Sequence, residues 1–181
     1  MIESSDGDLA HRRNLSAHLD AMLALCETIE CRRVRLLAYF GQESAACGNC
    51  DTCLSPPQSW DGTVAAQKLL STVVRLERER NQRFGAGHHI DILLGRSNDR
   101  VVKGRHEALS TWGIGTELSD AEWRGVVRQL LAQGLLAVQG EYGTLAVTDA
   151  AADVLGGSRE VHLRTEVSRP SRTRAAKKAV A

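Results

Sequence analysis

Apolar residues recur early in the chain at Leu15, Leu19, Met22, Leu23, Cys26, Ile29, Leu36 and Leu37, spaced by three, four and seven. That period is one face of an α-helix and predicts helix over about 14–40. Ser55-Pro56-Pro57 and Asp61-Gly62 break the pattern, because proline lacks a backbone donor and the Asp-Gly pair turns the chain. From Thr63 a second helical stripe follows: Val64, Leu69, Leu70, Val73, Val74 and Leu76. The alternating charges Arg75, Glu77, Arg78, Glu79 and Arg80 form its solvated end. Gly85-Ala86-Gly87 stops this helix. A short helix is expected from about His88 to Leu94, and another from near Arg105 to Gly113-Ile114-Gly115.

The clearest element comes next. Ser119-Asp120-Ala121-Glu122 is a capping box, which satisfies two orphan donors at a helix start. Trp123, Val126, Val127, Leu130 and Leu131 make its core stripe, with Arg124, Arg128, Gln129 and Gln133 on the opposite side and Gly134 as a left-handed cap. Leu135–Val138 and Thr144–Thr148 read as two short strands around Gln139-Gly140-Glu141-Tyr142-Gly143. Thr148-Asp149 opens a last short helix that reaches Leu155 and stops at Gly156-Gly157. Helices followed at once by a hairpin give the order of a winged helix, in which one helix enters a major groove beside the hairpin. A generic small α+β domain shares the same pattern.

Composition adds compartment and partners. The 181 residues fit one medium domain or two small ones, and no apolar run approaches membrane-spanning length. The acidic, polar N-terminus is no signal peptide, so the chain is expected in the cytoplasm, where thiols stay reduced. The net charge of +1 hides a gradient. Residues 1–60 hold 5 basic and 8 acidic side chains, residues 61–158 hold 11 and 12, and residues 159–181 hold 7 and 2. The organisation expected is a flexible N-terminus at 1–14, a helical subdomain at 15–57, a winged helix at 58–158 and a basic disordered tail at 159–181. The tail is either a solvated linker or an arm for nucleic acid.

Cysteine placement carries the chemistry. Cys47, Cys50 and Cys53 repeat at three-residue steps, and Gly48-Asn49 supplies residues that tolerate a sharp turn. Cys31 would be a fourth ligand, and a closed four-thiolate site suits one structural zinc ion, with no open position for catalysis. An iron–sulfur cluster is the rival, but the bacterial ferredoxin run places a further cysteine four positions on, where this chain has Pro57. Five cysteines at such tight spacing argue against a secreted disulfide framework. Cys26 lies about 140° round the helix from Cys31 and reads as a buried small hydrophobe. Arg32, Arg33 and Arg35 place positive charge beside the thiolates, although surface arginines on a helix would look the same.

These motifs resemble the RecQ family of DNA helicases. The zinc-binding subdomain is matched by Cys31-Arg32-Arg33, Leu36-Leu37-Ala38-Tyr39-Phe40-Gly41 and the Cys47–Cys53 cluster. The winged helix is matched by Asn81-Gln82-Arg83-Phe84-Gly85, Leu93-Leu94-Gly95, Leu109-Ser110-Thr111-Trp112-Gly113-Ile114-Gly115, Arg128-Gln129-Leu130-Leu131, Gly134-Leu135-Leu136 and Leu145-Ala146-Val147-Thr148. The resemblance covers roughly residues 15–158. It implies a mainly α fold with a small β wing: a helical hairpin pinned by zinc on Cys31, Cys47, Cys50 and Cys53, then a winged helix that binds duplex or junction DNA. Full-length members are ATP-dependent 3′-to-5′ helicases of recombination and repair.

The chain departs from that family in one respect. It has no G-x-x-x-x-G-K-[ST] phosphate loop and no Asp-Glu-x-His motif, so ATP and Mg²⁺ belong to motor domains this sequence lacks. It is expected to be a C-terminal fragment of a longer helicase, or a truncated product, that binds DNA as a monomer at the nucleoid without unwinding it. Arg83, Arg96, Arg100, Lys103, Arg105, Arg124 and Arg128 are the candidate phosphate contacts, each of which has an ordinary surface charge as its plainer role. Tyr142 at the wing tip is the candidate strand separator, against a plain role as a turn residue. His88 and His89 read as helix-start residues. Two other functions fit the pattern: a free-standing transcription regulator, which would prefer one DNA sequence, and a protein-docking module, which would ignore DNA.

Overall fold

The fold is known from a computed structural model that describes residues 9–140 and 142–165. The continuous helix expected over 14–40 is two helices, α1 (Leu9–Glu27) and α2 (Arg32–Tyr39). Between them Thr28-Ile29-Glu30-Cys31 turns the chain. Cys31 sits at the N-cap of α2, so the apolar stripe continues across the break on a second axis. After the turn at Gly41, α3 (Asp51–Leu54) is a single helical turn inside the cysteine cluster.

β1 (Ser59–Asp61) leads into α4 (Thr63–Arg80), which buries Ala65, Ala66, Leu69, Leu70, Val73 and Leu76. Asn81 ends α4 in the left-handed conformation at φ 52°, a position that asparagine tolerates better than branched residues. α5 (Ala86–Leu93) comes two residues earlier than the pattern suggests and buries Ile90, Ile92 and Leu93. The helix expected from Arg105 to Gly113 is not there. Instead α6 (Asp99–Gly104) starts at Asn98, whose side chain accepts from the backbone of Arg100 and Val101. A 3₁₀ turn (His106–Ala108) follows a left-handed Arg105, and turns continue to Ser119. Serine, threonine and glycine at 110–116 favour local turns over a helical ladder.

α7 (Asp120–Ala132) begins at the full capping box of Ser119 and Glu122. Trp123 is wholly buried, donates its indole N–H to the Gly115 carbonyl at 2.8 Å and joins Leu130, Leu135, Leu145 and Val154 in the main core. β2 (Leu136–Gln139) and β3 (Thr144–Val147) form the wing as an antiparallel pair, with Gln139 opposite Thr144. The Leu145 amide donates to the Phe84 carbonyl at 2.8 Å, tying β3 to the loop after α4. A 3₁₀ turn at Asp149–Ala151 runs into α8 (Ala152–Leu155). Thr148 does not cap this turn; its hydroxyl donates to the Gly134 carbonyl at 2.6 Å.

The tail assignment is corrected at its start. Residues 159–165 are folded chain: β4 (His162–Arg164) pairs antiparallel with β1, Trp60 opposite Leu163, and Leu163 is buried. A Cβ at Gly62 would meet the Leu163 side chain at 2.3 Å, which explains glycine there. Sequence missed this strand because three residues amid charges carry almost no periodic signal. At the other end, α1 begins at Leu9, inside the expected flexible segment. The disorder expected of residues 1–8 and 166–181 falls outside the described residues. No described helix is long and apolar enough to cross a membrane.

Candidate metal centre and nucleic-acid interface

Cys31, Cys47, Cys50 and Cys53 converge, with their sulfurs all within 4.8 Å of one another. Cys31 Sγ lies 3.5 Å from Cys47 Sγ and 3.8 Å from Cys50 Sγ. A disulfide requires about 2.05 Å, so these are thiols. Four sulfurs bound tetrahedrally at about 2.3 Å from a zinc ion stand about 3.8 Å apart, so both the spacing and the donor chemistry fit zinc.

The surroundings stabilise negative sulfur. Cys31 stands at the N-cap position of α2, and the backbone amides of Cys47 and Val34 hold its thiol below the ordinary range. The Cys47 amide donates to Cys31 Sγ at 3.3 Å. A bond from the Thr52 hydroxyl, 3.2 Å away, takes Cys50 down to about 5. Cys53 is pushed up to about 11, chiefly by its bond with Cys50. Charge therefore collects on some sulfurs at the expense of another, and a divalent ion removes that conflict by holding all four as thiolates.

Sequence reasoning passed over Thr52, which is buried and whose hydroxyl lies within reach of both Cys50 Sγ and, at 2.8 Å, the Glu30 carbonyl, its single proton serving one of them at a time. Its one signal was its place between two cysteines. Arg32 Nε meets Asp51 Oδ1 at 2.6 Å, and its guanidinium also reaches the Leu25 carbonyl, so it joins α1 to the cysteine loop. The Arg32 guanidinium in turn holds the Asp51 carboxyl below its usual range. Arg35 instead spans to α7, donating to the Ala132 carbonyl at 3.1 Å. Cys26 stands outside the cluster and is exposed, against the expectation that it is buried.

The seven expected phosphate contacts divide sharply. Arg83 pairs with Glu77 and donates to Gln139 at 2.9 Å. Arg96 bridges to Asp120 at 2.9 Å, and Arg124 to the same carboxylate at 2.6 Å. Arg128 faces Glu27 on α1 at 3.5 Å. Arg100, Lys103 and Arg105 are exposed and make no ion pair among the described residues. Arg100 and Lys103 lie on α6, and Arg105 is the residue that ends it.

The outer side of α7 is not an open groove reader along its length. Gln129, expected at the surface, is buried: its amide donates to the Arg164 carbonyl at 3.0 Å and its carbonyl accepts from the Arg164 amide at 2.5 Å. Gln133 donates to the His162 carbonyl at 3.0 Å. β4 and α1 together cover the second half of this helix. At the wing, Tyr142 is 91% exposed and projects from the turn between Gly140 and Gly143.

His88 and His89 are buried within α5 rather than merely starting it. His106, which the sequence did not single out, joins them: His88 Nε2 lies 2.9 Å from His106 Nδ1, and His106 Nε2 lies 2.8 Å from Gln82 Oε1.

A family model described as RecQ zinc-binding matches residues 1–54, and one described as RQC domain matches residues 56–172. The chain belongs to the RecQ family. The ATP-dependent DNA helicase RecQ of Pasteurella multocida is 38% identical over 148 residues, covering 80% of this chain and 23% of that protein. The Haemophilus influenzae RecQ helicase is 37% identical over 156 residues, covering 84% and 25%. The ATP-dependent DNA helicase Q-like 4B of Arabidopsis thaliana is 29% identical over 158 residues, covering 79% and 13%. The chain thus spans about a quarter of the bacterial RecQ proteins it matches, and its cysteine cluster is the structural zinc site of the RecQ zinc-binding region.

Proposed function

We propose that this chain is the DNA-holding region of a longer ATP-dependent 3′-to-5′ helicase of recombination and repair, and that it binds duplex or junction DNA without unwinding it. Cys31, Cys47, Cys50 and Cys53 would hold one zinc ion, whose chemistry is structural: it fixes α2 against the cysteine loop. The observation that carries the DNA reading is α6 and the residue after it, where Arg100, Lys103 and Arg105 are exposed and make no ion pair among the described residues. A cation already paired in the protein must break that pair to reach a phosphate, so free cations are the stronger contacts. Tyr142, exposed at the wing, is positioned to stack on a terminal base pair.

The motor would dock on the zinc-binding half. Met22, Leu23, Leu36, Tyr39 and Phe40 are all exposed, and a groove of about 460 Å³ runs between α1 and α2. Apolar side chains grouped in this way are normally covered by a partner, and the helicase names of the relatives make the motor of the same polypeptide the fitting one. The region acts as a monomer in the cytoplasm, at the nucleoid.

The test is binding to a fluorescent duplex with a 3′ single-stranded tail across a salt series, with zinc measured on the same sample. One zinc per chain and sequence-indifferent affinity that falls steeply with salt are expected. Removing Arg100 and Lys103 together should flatten the salt slope by about two, whereas removing Arg96 should leave it unchanged. Marked preference for one sequence would favour a transcription regulator; zinc without DNA binding at low salt would favour docking alone.

A further inference from the structure

Of the four carbonyls that end α7, three are met by backbone amides: Gln129 by Gln133 at 2.9 Å, Leu130 by Leu135 at 2.9 Å and Leu131 by Gly134 at 3.0 Å. The fourth, Ala132, accepts from the Arg35 guanidinium at 3.1 Å, 97 residues away in sequence and in the other half of the molecule. The central helix of the winged half therefore takes its last cap from the zinc-binding half. A guanidinium suits that place, because the helix dipole gathers negative partial charge at this end. Arg35 itself sits in the first turn of α2, where its amide donates to the Cys31 carbonyl at 3.0 Å. Glu27, Glu30 and Glu160 line the cavity beside it, yet Arg35 makes no ion pair among the described residues.

The rest of this junction is thin. Among the described side chains of α1 and α2 none is buried, so these helices bring no closed apolar core to the joint. A cavity of about 240 Å³ opens there, lined by Glu27 and Arg35 on one side and by Gln129, Ala132, Gln133 and His162 on the other. The other polar tie, Arg128 to Glu27 at 3.5 Å, is looser, with half of the arginine exposed. An interface without a buried core permits relative motion, and single well-made polar bonds then decide its geometry.

We propose that Arg35 is a positioning residue that locks the zinc-binding half and the winged half in one placement, through its bond to the end of α7. Arg35 lines the apolar groove between α1 and α2 as well as the cavity at the junction. The lock therefore sets the angle at which α6 and the wing are offered to DNA, relative to the groove on which the motor docks. That consequence rests on the DNA-holding reading of the chain, whereas the lock between the halves does not.

The experiment measures residual dipolar couplings of the backbone amides in the zinc-loaded chain, which report the orientation of each half. In the parent, one alignment should fit both halves. Arg35→Met keeps the aliphatic stem but removes the donors, and it should require two alignments while zinc content stays at one per chain. Arg35→Lys returns an N–H donor and should restore a single alignment. Ser119→Ala weakens the other end of α7 and should also keep one alignment, which separates a freed joint from a destabilised helix. Amide exchange at Gln133, Gly134 and Leu135 should rise about tenfold in Arg35→Met, because the last turn of α7 loses a charged cap. If that variant does not fold, Arg35→Gln, with a shorter side chain, takes its place. A single alignment in the variant with zinc retained would overturn the lock, and so would two alignments in the parent. Duplex binding is measured on the same samples: a parent that binds none at low salt ends the DNA-holding reading, and the couplings of the free chain still decide the lock.

Discussion

A few side chains whose partners are local in space but distant in sequence decide how the metal is held. The Thr52 hydroxyl stands between Cys50 Sγ and the Glu30 carbonyl, and once the sulfur is a metal-bound thiolate its proton is the donor the sulfur can take, so Thr52→Val should lower zinc affinity about 10-fold to 100-fold in a chelator competition while leaving ligand count at four. Replacing Cys50 by serine should be harsher: zinc is lost, and the circular-dichroism signal of α1 and α2 falls while Trp123 fluorescence still reports a folded winged helix. The four ligands were legible because thiol spacing maps directly onto coordination geometry. Cys26 was misread because the face it occupies on α1 is apolar but uncovered in this chain. His106 left no sequence signal at all, since its role depends on Gln82 and His88 arriving from two other elements.

Among the elements, α7 was the easiest to foresee: its capping box and stripe are local and mutually consistent. Ser119→Ala should lower stability by about 1 kcal/mol in urea titration, and Trp123→Ala by about 3–5 kcal/mol. α6 and β4 were illegible for opposite reasons. α6 is a six-residue helix begun by an Asn98 side chain, where propensity and period say little. β4 is held by the β1 backbone, by Gln129 and by the buried Leu163, and one apolar residue among three gives no period to read. α5 bears on pH. Because burial lowers the proton affinity of His88 and His89, the folded state binds fewer protons than the unfolded chain in mild acid. Stability should therefore be full above about pH 6.5 and decline as pH falls below it, read as a falling Tm with zinc content unchanged.

Across the whole molecule, the two halves meet through α1 and α7, with Arg35 reaching the Ala132 carbonyl and Arg128 facing Glu27. Arg128, expected from sequence as a DNA contact, thus faces a carboxylate of the protein's own first helix. Met22→Glu with Phe40→Glu should leave zinc content and duplex affinity unchanged. The same pair should weaken association with separately supplied motor domains of a bacterial relative by about 10-fold or more in a pull-down titration.

The pairing of β1 with β4 has a topological consequence. Strands that enter and leave the winged helix lie side by side, Ser59 opposite Arg164, so the unit is a nearly closed circuit of chain. Its native ends could be joined by a short linker and new ends opened in the wing turn between Gly140 and Gly143, and such a circular permutant should fold to the same structure. The described chain leaves the winged helix at Thr165, whose amide donates to the Gln58 carbonyl at 2.8 Å, so exit and entry stand side by side next to the segment that leads in from the zinc site.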